Sequence, residues 1–105
     1  MTIKKKSDAR KFLEKLTGGP LTMSKILQST RLGEELSQAE FARILGIPRA
    51  NLCDIEKGRR FVGPELAEKF AGILGKSKEQ FVRIALQDQL NRTGLHYQIG
   101  TVKAA

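Results

Sequence analysis

The chain has 105 residues, 40% of them apolar, and a formal charge of +8 from 19 Lys and Arg against 11 acids. That length holds one domain with a small core and tails, and no apolar run approaches the length of a bilayer span. A single cysteine, Cys53, excludes an internal disulfide, and with only one histidine, His96, it cannot build a structural zinc site.

The leader MTIKKKSDAR has no apolar stretch after its lysines, so it is not read as a secretory signal, and a cytoplasmic location is the default expectation. The charge points to a polyanionic partner, but it is unevenly placed. Residues 1–20 carry six cations against two acids, residues 21–75 eight against seven, and residues 76–105 five against two. Lys4, Lys5 and Lys6 read as well as a solvated run as they do as a phosphate contact.

In chain order, Ser7 caps a short helix through Phe12, Leu13 and Leu16, which Gly18-Gly19-Pro20 ends. Thr22 is the N-cap of a first core helix with Met23, Ile26 and Leu27 at helical spacing, and Gly33 marks its last turn or end. Ser37 and Glu40 form a capping box ahead of Phe41, Ala42 and Leu45. Gly46 supplies a left-handed exit, Ile47 plugs the turn, and Pro48 suits the start of the next helix. That helix, Pro48 to Lys57, stops at Gly58. Turning about 100° per residue groups Leu52, Ile55 and Glu56 on one side and Ala50, Cys53, Asp54 and Lys57 on the other. Gly63-Pro64 opens a fourth helix whose buried stripe is Leu66, Phe70, Ile73 and Leu74, closed by Gly75. Ser77 and Gln80 form a second capping box for a fifth helix carrying Phe81, Val82, Ile84, Ala85, Leu86 and Leu90, ended by Gly94. The tail LHYQIGTV alternates as a strand does. The division is therefore a basic leader over 1–20, a helical domain over 21–93 and a tail over 94–105.

The stretch LSQAEFARILGIPRANLCDIEKG, Leu36 to Gly58, is the most informative. Two short helices meet at a three-residue turn, with the small Ala42 where the second helix must come close. The second has one apolar and one polar face. This is the outline of a helix-turn-helix, whose second helix enters the major groove of DNA.

From Thr22 to Val82 the chain resembles the lambda-repressor-like, or XRE-type, helix-turn-helix family of phage repressors, Cro proteins and antitoxins. The resemblance rests on Ser37-Gln38, Ala42, Gly46 and the run Ile55-Glu56-x-Gly58-x-Arg60. It implies an all-α fold, a compact five-helix bundle that binds operator DNA as a dimer, here with an extra N-terminal helix and a short tail. In the family a Gln at the position of Gln38 reaches a phosphate and braces the first residue of the recognition helix. An Arg at the position of Arg31 pairs with the Glu at Glu56, a structural salt bridge between the first helix and the recognition helix. The helical wheel agrees, since it turns Glu56 toward the core, where a charge needs a partner. The family usually has Gly shortly before its second helix, where this chain has Glu34-Glu35-Leu36 and an early Gly33, so the first helix is expected to end differently.

The expected DNA contacts follow. Arg49 opens the recognition helix, where it can pair with guanine or hold a phosphate. Ala50 offers a methyl to thymine, and Asn51 reaches a base edge or the backbone. Asp54 is a departure, an acid toward a polyanion: it accepts from cytosine or orients Arg49 or Lys57. Lys57, Arg59 and Arg60 surround the following turn as phosphate contacts or as solvated charges. Cys53 reads as a small filler and His96 as a surface residue.

No nucleotide loop or metal cluster supports an enzyme, and no cofactor is implied. The leading reading is a sequence-specific repressor acting as a homodimer on palindromic double-stranded DNA, because one recognition helix reads too few base pairs alone. The dimer surface falls on Val82, Leu86 and Leu90, which alternatively cover the bundle. A second reading is an antitoxin whose ends, Met1–Thr17 and Leu95–Ala105, bind a toxin protein while the domain represses its own promoter. A third is non-specific binding through the charged ends.

Overall fold

The computed structural model describes residues 21–105; the helix expected between Ser7 and Leu16, and the lysines before it, lie outside them. Among the described residues there are five helices: α1 (Met23–Gly33), α2 (Gln38–Leu45), α3 (Arg49–Glu56), α4 (Pro64–Leu74) and α5 (Lys78–Arg92). None is long and apolar enough to cross a membrane.

Local chemistry explains most boundaries. The Thr22 side chain accepts from Lys25 N–H at the start of α1. Ser37 and Glu40 close a complete capping box on α2, each side chain taking the other's backbone N–H at 3.1 Å. Hydrogen bonds to Ser37 hold the Glu40 carboxyl below its ordinary pKa. Ser77 caps α5 by accepting from Gln80 N–H.

The exit of α2 shows why Gly46 is needed. Its φ is 74°, and the wrap lets Ile47 N–H reach back to the Ala42 carbonyl at 3.0 Å. The exit of α1 uses the same wrap without glycine. Glu35 takes the left-handed position at φ 55°, while Glu35 and Leu36 N–H bond to the Leu32 and Arg31 carbonyls at 3.1 and 3.0 Å. The chain thus places a strained glutamate where glycine would be relaxed.

One core joins all five helices. Met23 and Leu27 from α1, Phe41, Ala42 and Leu45 from α2, and Leu52 and Ile55 from α3 meet Ala67, Phe70 and Ala71 from α4 and Phe81, Ile84 and Ala85 from α5. The two alanines of α4 let it lie closely and extensively against α5. They also turn the expected stripe. Ala67, Phe70 and Ala71 are buried, Leu66 and Leu74 are half-buried against the core, and Ile73 is 42% exposed, so Ile73 does not belong to the buried stripe. Among the described residues the tail forms no strand, for it has no neighbouring strand to pair with. The Gln87 side chain substitutes for one. Its amide donates to the Tyr97 carbonyl at 2.7 Å and accepts from Ile99 N–H at 2.8 Å.

Candidate nucleic-acid interface

The turn after Gly46 sets α3 across the core with its apolar side down. Leu52 and Ile55 are fully buried, contributing roughly 1.5–3 kcal/mol each by loss of water contact. The opposite side stays open. Arg49, Ala50 and Lys57 are exposed, Asn51 and Cys53 are half-buried, and the Asp54 side chain is 37% exposed. Arg59 and Arg60 follow, both exposed. The helix therefore presents cations at both ends and small or polar groups between them.

The far end of α3 is fastened from two other helices. Arg31 donates through Nε to Glu56 Oε2 at 2.8 Å and through Nη2 to Oε1 at 3.0 Å, a bidentate fork. Its Nη1 donates to the Leu36 carbonyl at 3.0 Å, tying in the α1–α2 turn. The Glu56 side chain is 3% exposed and that of Arg31 14%. The hydrogen bonds to Glu56 raise the Arg31 pKa further, against the opposing effect of burial. Ser24, on α1, donates from its hydroxyl to the Ile55 carbonyl at 2.6 Å, satisfying a carbonyl in the last turn of α3. Sequence reasoning assigned Ser24 nothing. The residue marks no local signal, because its partner is 31 positions away.

Two expected roles change in the folded chain. Gln38 donates from Nε2 to Glu56 Oε1 at 3.2 Å. It braces the last residue of α3 and not the first, because the Glu56 carboxylate lies within reach of the start of α2. Asp54 orients neither Arg49 nor Lys57. Its partner is Arg59, whose Nη2 lies 2.9 Å from Asp54 Oδ1. The backbone imposes this choice: after Gly58, at φ 74°, the chain doubles back so that Arg59 N–H bonds to the Asp54 carbonyl at 2.8 Å. Arg59 is thus held to one residue by main chain and side chain together. Val82, Leu86 and Leu90 lie at four-residue spacing on α5, all half-buried.

A short helix anchored by its apolar side, a tight glycine turn before it and a row of cations after it define a helix-turn-helix domain built to lie on DNA. Residues 27–81, just over half of the chain, match the family model described as helix-turn-helix. The chain belongs to the lambda-repressor-like, XRE-type helix-turn-helix family, and its function is that of a DNA-binding transcription regulator. Comparison with curated proteins and with solved structures returned no match.

Proposed function

We propose that the protein is a repressor that binds a palindromic operator as a homodimer, with α3 in the major groove. The observation that carries this reading is the exposed polar face of α3 between Arg49 and Lys57, backed by two buried aliphatic side chains. In this reading Arg49 reads guanine, Ala50 touches a thymine methyl, and Asn51 reaches a base edge or the sugar-phosphate. Gln38, Lys57, Arg59 and Arg60 hold phosphates and fix the register. Asp54 is the acid on that face, and its pairing with Arg59 supports a role in aiming that cation. Two copies joined through Val82, Leu86 and Leu90 would set the helices one DNA turn apart.

Selection of bound duplexes from random DNA tests the reading. An inverted-repeat motif is expected. Binding without an enriched motif would leave only charge-driven, non-specific association.

A second reading, an antitoxin that binds a toxin protein through its ends, is favoured by the tail. Leu95 is 48% and Tyr97 68% exposed there, side by side with His96. Co-expression with the protein encoded beside it, followed by co-purification with and without residues 95–105, discriminates this reading from a plain regulator.

A further inference from the structure

The loop after α3 carries an aromatic ring, Phe61, directly behind Arg59 and Arg60. Over that ring lies a cation from a distant part of the chain. The guanidinium carbon of Arg92, in the last turn of α5, is 4.1 Å from the Phe61 centroid. A guanidinium stacked on an aromatic face is held by the ring's quadrupole while its N–H edges remain available. Arg92 is exposed. Asp88, one turn earlier, feels the Arg92 charge, and its Oδ2 is already engaged by Met23 N–H at 3.0 Å. Arg60, Phe61 and Arg92 border one open cleft that reaches Ile55 and Gly58 at the end of α3.

We propose that Arg92 is a phosphate-binding residue that extends the DNA contact beyond the helix-turn-helix, with Phe61 as the residue that positions it. The inference rests on the regulator reading. Its physical basis is that Arg60, in the loop just past the recognition helix, borders the cleft at the end of α3, and the Phe61 stack brings a second cation, Arg92 of α5, to that same cleft. A free arginine at a helix end samples many rotamers. Stacked on Phe61, this one keeps its fork at a set place, which suits a phosphate oxygen pair. A purely architectural role, a staple between α5 and the loop, predicts a salt slope that Arg92→Gln leaves unchanged.

The test measures binding of the full chain to a selected operator duplex and to a mixed-sequence duplex across a range of salt. Wild type is compared with Arg92→Gln, Arg92→Lys and Phe61→Leu, and each variant is also melted. Removing one phosphate contact lowers the slope of log affinity against log salt by about 0.9, so a fourfold rise in salt weakens wild type about 3.5-fold more than Arg92→Gln. The loss is expected to be equal on both duplexes, because a phosphate contact carries no base information. Arg92→Lys is expected to keep the wild-type slope, and Phe61→Leu to weaken binding although no charge is removed. An Arg92→Gln slope equal to wild type, with or without a lowered melting temperature, overturns the proposal and leaves the staple. A wild-type protein that binds neither duplex overturns the regulator reading, and this inference with it.

Discussion

Replacing Glu56 by Ala removes the acceptor that fastens the end of α3 to α1 and α2. In the folded protein that carboxylate is 3% exposed and accepts three hydrogen bonds, two from Arg31 and one from Gln38. After truncation the Arg31 guanidinium keeps only the Leu36 carbonyl, in a site where its side chain is 14% exposed. Breaking a buried pair from one side costs about 3–5 kcal/mol, because the remaining charge is left without compensation. Water can reach part of Arg31, so the lower end applies, about 3 kcal/mol. A domain of this size loses roughly 4–8 °C in Tm per kcal/mol, which predicts a fall of about 12–24 °C. Thermal and urea unfolding followed by far-UV circular dichroism measure it, the latter with an unchanged m-value if the denatured state is unaffected. The Arg31→Ala, Glu56→Ala double variant separates pairing from packing: it is expected to lose much less than the sum of the two single variants. A Glu56→Ala Tm within about 4 °C of wild type, or strictly additive losses, would refute the reasoning.

Glu35→Gly relieves the left-handed strain at φ 55° and is expected to stabilise the fold by about 0.5–1 kcal/mol, a rise of roughly 2–8 °C in Tm. A neutral or negative change would mean that the turn is not strained. Burial raises the Asp88 carboxyl pKa, against the pull of Met23 N–H and the Arg92 charge. The folded state therefore holds that proton to higher pH than the unfolded chain, and the group's contribution to stability falls as pH rises from the ordinary aspartate range through the raised one. Asp88→Asn is expected to gain stability relative to wild type on going from acid to neutral pH, as read by urea midpoints; a difference independent of pH contradicts this. The Asp54–Arg59 pair is exposed and worth at most about 1 kcal/mol to the fold. Arg59→Ala should leave Tm nearly unchanged yet weaken binding to every duplex, and an effect confined to one sequence would argue for base readout instead. Leu86→Glu on the half-buried stripe of α5 is expected to convert dimers to monomers in sedimentation equilibrium; a wild type that is already monomeric while bound at a single half-site would remove the dimer reading.

The helices that could be read from the sequence are those whose ends are decided within one turn. The Ser37–Glu40 box, the Gly46 exit and Pro64 at the start of α4 each depend on neighbours a few residues away, so the residue types alone placed them. The apolar side of α3 was legible for the same reason, since Leu52 and Ile55 are a helical turn apart. Periodicity was less reliable on α4. There Ile73 and Ala71 lie about 160° apart around the helix, but the stripes that contain them share Phe70 and Leu74, and the close packing of α5 selected the stripe with the smaller side chain. The exit of α1 was marked as a departure by Glu34-Glu35-Leu36, but no residue type there names Glu35 as the left-handed one; that geometry is imposed by the way α1 must hand the chain to α2.

The order of helices, their caps and the amphipathic recognition segment were thus determined by the sequence itself, because short-range hydrogen bonds and helical spacing act locally. Apart from the Ser37–Glu40 box and the Arg31–Glu56 pair that the family resemblance implied, the partners of the following charged and polar groups were decided by tertiary structure. Gln38 at Glu56, Arg59 on Asp54, Ser24 on the Ile55 carbonyl and Arg92 over Phe61 each depend on where a helix axis or a turn places two side chains. A long polar side chain reaches several candidates from a given backbone position, and only the packed core, by fixing those backbone positions, leaves one of them within bonding distance.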